Sequence, residues 1–198
     1  GISYSQLIHR FKKSKIDFKR NGNEDVYTII PSFKKEMHLK LLIRAKSAGI
    51  KNIMVNDKIV SWKNVDDVIG DPMIEIEKSY QEKYVVKIIW QGNQFDKVLL
   101  ENMYVKGTSF SLKFLNAVAQ KIYDPQNIFF DATIKNNIIN GFVLADTGCH
   151  TAFVQLKQNG FVWWQALNTN VRNELEIVAT TIQANNSITF RIRNNSGS

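Results

Sequence analysis

Nucleophilic and metal-binding chemistry has few residues to draw on here, because the 198-residue chain holds three histidines and one cysteine. His9, His38 and His150 lie far apart in sequence. His38 sits in Met37-His38-Leu39-Lys40-Leu41, where strand alternation sets it on the same face as Lys40, so it reads as an exposed strand histidine rather than a ligand. His9 is equally uninformative. Cys149 and His150 are adjacent, and on an extended backbone neighbours point to opposite faces, whereas a nucleophile and its base must meet within hydrogen-bond reach. The expected role for Cys149 is a small buried thiol. As the sole cysteine it excludes an intrachain disulfide and a cysteine-based zinc site.

Carboxylates are more plentiful. A pair separated by about 5 to 9.5 Å would suit glycoside hydrolysis, one as acid and the other as nucleophile or base. Asp66, Asp67 and Asp71 fall in one stretch and Asp124, Asp131 and Asp146 in another. None has the isolated apolar setting that raises a carboxyl's pKa, so surface loop carboxylates are the expectation. Asp131 and Asp146 remain the strand-borne pair of a rival assignment as a hydrolase. Asp66, Asp67 and Asp71 offer oxygen ligands to calcium, yet their spacing matches no recognised calcium loop. No glycine-rich run precedes a helix, which removes phosphate-loop chemistry. Basic and aromatic residues do not interleave as in a ribonucleoprotein motif. No catalytic residue, metal site or cofactor is assigned, and nucleic acid is not an expected partner.

The tryptophans Trp62, Trp90, Trp163 and Trp164 are the candidate ligand-binding residues. Sugars present C–H faces that stack on flat indoles, while their hydroxyls exchange hydrogen bonds with Asn, Gln, Arg and Asp. Trp163 and Trp164 are neighbours and must face opposite sides of a strand. One is expected to fill a core, leaving the other to solvent, a partner domain or a ligand; packing of both is the alternative.

These residues would be positioned by strands. Short runs of alternating apolar and polar residues recur between Asn, Asp, Gly and Lys, and helical periodicity is nearly missing. The fold class expected is all-β, built as two antiparallel β-sandwich modules of jelly-roll or immunoglobulin type. Candidate strands in the first half cover 16–20, 26–31, 37–46, 53–55, 58–62, 73–78 and 83–90, with a tight hairpin at Val55-Asn56-Asp57-Lys58 and a connecting loop over 64–71. Gln91-Gly92-Asn93-Gln94 marks the boundary between a module at 1–92 and another at 93–198. The second half has candidate strands over 97–106, 108–114, 127–134, 139–145, 151–157, 160–167, 175–182 and 187–193, and residues 115–122 are expected to form a short helical turn. The strand ending at Arg193 is followed by a turn with no further strand, so the second module is expected to be truncated.

Hydrophobic residues at 44% and charged residues at 22% match ordinary globular usage, which disfavours disorder, collagen and coiled coil. The net charge of +8 would favour an anionic partner if the cations gathered on one face. Their densest run is Arg10, Lys12, Lys13, Lys15, Lys19 and Arg20, whereas Lys34, Lys35, Lys40, Arg44 and Lys46 are spread through alternating apolar sequence. Solvated strand faces are the expectation, with a basic anion- or nucleic-acid-binding module as an alternative. No stretch approaches the roughly 18 apolar residues of a membrane span, and the start, Gly1-Ile2-Ser3-Tyr4, has no signal-peptide pattern, as in a chain trimmed from a longer one.

Asp124-Pro125-Gln126, then Gly148-Cys149-His150-Thr151-Ala152-Phe153-Val154 and Gly160-Phe161-Val162-Trp163-Trp164-Gln165 resemble the accessory β-sandwich regions of large secreted Bacteroidetes glycosidase-like proteins, notably a family of unknown function with an α/α-barrel catalytic part. The first half is similar in character, through Ile30-Pro31, Leu39-Lys40-Leu41, Val55-Asn56-Asp57 with Trp62, and Tyr84 to Trp90. The resemblance implies a non-catalytic accessory region of a secreted or periplasmic carbohydrate-active protein. Its expected partners are an adjacent catalytic domain of the same polypeptide and, as a further role, a polysaccharide. It transfers no functional residues.

Overall fold

A computed structural model describes residues 14–32, 36–97, 102–182 and 188–195. His9, Arg10, Lys12, Lys13, Lys34, Lys35 and part of the expected strand 97–106 lie outside them. Among the described residues all regular structure is strand, arranged in several mainly antiparallel sheets, and there is no helix. Among the described residues, therefore, no helix is long and apolar enough to cross a membrane. The backbone groups into two compact units: Gly1–Phe95 with Asn159–Trp163, and Asp96–Gln158 with Trp164–Ser198.

In the first unit, β1 (Lys15–Asn21), β2 (Glu24–Ile30), β4 (Ile50–Val55), β5 (Lys58–Ile59) and β8 (Tyr84–Trp90) form a five-stranded sheet in the order β1-β2-β8-β4-β5. β3 (Leu39–Arg44), β6 (Lys63–Asn64) and β7 (Met73–Lys78) form a second, ordered β3-β7-β6. Successive side chains alternate between sheet faces, so β8 buries Tyr84, Val86, Ile88 and Trp90. Ile29, Ile53 and Val55 join them from the same sheet, and Ile43, Ile74 and Ile76 come from the other. Each such side chain contributes about 1.5–3 kcal/mol by leaving water.

The hairpin expected at Asn56-Asp57 is present. Both residues have positive φ, 50° and 61°, as a tight turn between right-twisted strands requires. The stretch 58–62 is strand only to Ile59. Asn64, expected to open a loop, instead pairs with Ile74 of β7, next to the pairing of Lys63 with Glu75. Asn64 then presents its side-chain amide to Val162, accepting from its N–H at 3.3 Å and donating to its carbonyl at 3.0 Å.

The second unit holds β9 (Asn102–Val105), β10 (Ser109–Lys113), β11 (Val118–Tyr123), β12 (Phe129–Lys135), β13 (Ile138–Val143), β14 (Gly148–Gln158), the greater part of β15 (Phe161–Arg172), β16 (Leu175–Ile182) and β17 (Ile188–Asn194). Its sheets are ordered β10-β13-β12, β11-β14-β15-β9 and β16-β17, with β9 parallel to β15. Asn136 and Asn137, both at positive φ, turn β12 into β13, and Asn159-Gly160 does the same between β14 and β15. The core gathers Phe110, Ile128, Ile139, Ala152, Val154, Leu156, Leu167 and Val171. Gly141 on β13 is required by close packing, since a Cβ there would lie 2.9 Å from Phe110 and 3.1 Å from the Ala132 and Phe130 backbones.

The helical turn expected over 115–122 is absent. Leu115 and Asn116 form a bend and β11 follows, because the Asp96 carboxylate accepts the backbone N–H groups of Asn116 (2.7 Å) and Ala117 (2.9 Å). Ala117 and Ala119 are buried on alternate positions, a strand period that outweighs alanine's helix propensity once β14 supplies a backbone partner.

Candidate functional site

The four tryptophans occupy different environments. Trp90, 2% exposed, donates its indole N–H to Asp25 at 2.8 Å. Asp25 is fully buried and accepts Nε and Nη2 of Arg20 at 2.6 and 2.7 Å. Burial alone would raise the Asp25 carboxyl, but the hydrogen bonds from Arg20 and Trp90 outweigh it and hold the group below the ordinary range. Trp163, 1% exposed, meets Phe95 edge-on at 5.2 Å. Neither Trp90 nor Trp163 offers an open ring face, so neither serves as a stacking platform. Trp62 is half-buried and lies on Phe161, centroids 5.3 Å apart and planes 21° apart, which occupies one of its faces. Trp164 is half-buried and points away from the core that takes Trp163.

Trp164 belongs to an open sheet face in the second unit. On β14, Ala152 and Val154 are fully buried, so Thr151, Phe153 and Gln155 take the opposite side. On β15, Trp163 and Leu167 point inward, which sends Trp164, Ala166, Asn168 and Asn170 outward. Tyr123 of β11 pairs with Phe153 and stacks on it, centroids 6.3 Å apart and planes 28° apart. Tyr123, which is exposed, and Phe153 and Trp164, which are half-buried, therefore share one side of the sheet.

That surface runs into a cleft of about 400 Å³ lined by Gln126, Cys149, His150, Thr151, Asn168, Thr169 and Asn170. Gln126 Oε1 accepts the Thr151 backbone N–H at 2.6 Å. Asn168 Oδ1 accepts the Thr151 hydroxyl at 3.0 Å. With both amide oxygens engaged, the amide nitrogens are left to donate, and among the described residues neither has a protein partner. Such a lining suits a ligand rich in acceptor oxygens. Asp124 accepts the Phe129 N–H at 2.9 Å, and Asn127 at positive φ follows Pro125 and Gln126 in the turn.

Cys149 is exposed, contrary to the buried thiol expected, because its position on β14 falls on the outward side at the strand's end. His150 Nε2 lies 2.7 Å from the Asp146 carbonyl, and His38 is exposed. Asp146 is exposed and paired with Lys106 at 2.6 Å, whose hydrogen bond and charge hold its carboxyl below the ordinary value. That is the wrong direction for a general acid. Asp131 is exposed with φ 51° where β12 shifts register against β13. Asp66 accepts from Asn64, and Asp71 pairs with Arg44 at 3.1 Å. Among the described residues no group of three or more His, Cys, Asp or Glu could hold a metal.

Sequence reasoning named Trp164 but not Tyr123, Phe153, Gln126, Thr151, Asn168 or Asn170 as ligand-facing. The available signal was the alternation in β14 and β15, where placing Ala152, Val154 and Trp163 inward assigns their neighbours outward. The meeting of Gln126 with Thr151 has no such signal. No protein-family model matches this chain, and no curated protein matches it.

Proposed function

We propose that this chain is a non-catalytic accessory β region of an exported carbohydrate-active protein, supporting an adjacent catalytic domain and contacting glycans through its second unit. The observation that carries the glycan role is the outward surface of Tyr123, Phe153 and Trp164 continuing into the amide- and hydroxyl-lined cleft at Thr151 and Asn168. Apolar rings beside neutral hydrogen-bonding groups match the alternating C–H faces and hydroxyls of a sugar chain. Support for the accessory role comes from the sequence resemblance, and the ion-paired state of Asp146 weighs against its use as a hydrolase acid. Secretion or periplasmic location and the catalytic partner rest on the resemblance, and the flanking sequence of the parent protein tests both.

Affinity electrophoresis through gels containing neutral polysaccharides tests the glycan role. The wild-type chain is expected to be retarded by at least one of them, and Trp164→Ala to migrate as in a plain gel. Absence of retardation in every gel overturns the glycan-contacting role while leaving domain support intact.

A further inference from the structure

We propose that the cleft between Gln126 and Asn170 is a specificity subsite that takes one end of an uncharged glycan and disfavours acidic sugars and phosphorylated ligands. The proposal rests on the glycan-contacting role and adds to it the charge class of the ligand and the groups that select it. Its basis is the lining. Gln126, Thr151, Asn168, Thr169 and Asn170 present only amide and hydroxyl groups, and the lining holds no Lys, Arg, Asp or Glu. His150, the remaining member, has Nε2 turned to the Asp146 carbonyl at 2.7 Å rather than into the cleft.

The amides of Gln126 and Asn168 are oriented before any ligand arrives. Thr151 is the common anchor, giving its backbone N–H to Gln126 Oε1 and its hydroxyl to Asn168 Oδ1. A ligand thus meets N–H donors whose rotation is already restrained, which lowers the ordering cost of binding. Neutral hydroxyl oxygens satisfy those donors without a counter-ion, whereas a carboxylate or phosphate would be desolvated with no Lys or Arg in the lining. Lys121 shares the sheet face opposite Gln155, but Gln155 lies four residues along β14 from Thr151, about 13 Å at 3.3 Å per residue. It therefore lies beyond Phe153 and level with Trp164 rather than at the cleft.

The exposed Cys149 gives a direct reporter, since it lines the cleft and is the sole cysteine of the chain. Its alkylation by iodoacetamide would be timed in the full 198-residue chain with cellohexaose, xylohexaose, mannohexaose, laminarihexaose or trigalacturonate present. Affinities for the same probes would be measured for wild type, Trp164→Ala and the near-isosteric Asn168→Asp, with far-UV circular dichroism confirming the fold. The expected result is that a neutral probe slows alkylation about fivefold or more, and that Asn168→Asp weakens its binding about tenfold. A neutral probe that depends on Trp164 but leaves alkylation and the Asn168→Asp affinity unchanged overturns the subsite and preserves the glycan-contacting face. Binding of trigalacturonate in preference to every neutral probe overturns the charge class. No binding by any probe overturns both the subsite and the glycan role.

Discussion

Trp163 and Trp164 are chemically identical neighbours whose substitutions should have opposite signatures. Replacing the buried Trp163 with Ala should cost about 3–5 kcal/mol through lost burial and a cavity, whereas Trp164→Ala should cost about 1 kcal/mol or less and act on ligand binding. Urea unfolding of the two variants checks this. Asp25 sets a second contrast. Its folded value lies below the ordinary 3.8, so its stabilisation is fully present above that value and fades as pH falls through the lower folded one. Asp25→Asn should cost about 2–3 kcal/mol at neutral pH by leaving Arg20 and the buried Trp90 N–H poorly partnered. It should also flatten the acid limb of a stability-versus-pH curve, measured by denaturant titration at each pH.

Turns and strand crossings account for the next set of effects. Asn56 and Asp57 both hold positive φ, but Asn56 is also fastened, accepting the Val85 N–H at 2.7 Å and donating to the Lys83 carbonyl at 2.9 Å. Asp57→Gly should therefore raise stability by about 0.5 kcal/mol, removing a left-handed penalty without losing those contacts. A small rise in thermal midpoint is the readout. Gly141→Ala should destabilise by about 1–3 kcal/mol, since the added methyl meets Phe110 and two backbone atoms with no flexible side chain on the Ala132 side to yield. Calorimetry of that variant checks it. The Asn56-Asp57 turn was legible in sequence because two residues that tolerate positive φ sit between alternating runs. The bend at Asn116 was not, since it is held by Asp96, twenty residues earlier in the chain.

Charge over the whole molecule gives the last expectation. The chain carries a net +8, but Lys15, Arg20, Lys40, Arg44 and Lys63 in the first unit and Lys106 and Arg172 in the second each lie within 4.0 Å of a carboxylate oxygen. Interspersed pairs of this kind offset those seven cations locally. Retention on heparin should be weak and lost by about 0.15 M salt, where the Debye length is about 8 Å. Tight retention well above that concentration would instead favour the anion-binding alternative.

The amino-acid order alone determined that the chain is all-β, where most of its strands lie and that Trp163 and Trp164 face opposite ways, because strand periodicity is a local, two-residue signal. Tertiary structure alone decided that Asn159–Trp163 belongs with the first unit and that Trp90 is tied to Asp25 across 65 residues of sequence. It also decided that Gln126, Thr151 and Asn168 converge at one end of the sheet face that carries Trp164. Those outcomes depend on which strands pair and in what register, and pairing is set by the burial of a whole sheet face rather than by any residue's neighbours. The alternation in β14 and β15 gave each side chain its side of the sheet, while the fold supplied the neighbours that make one of those sides a candidate site.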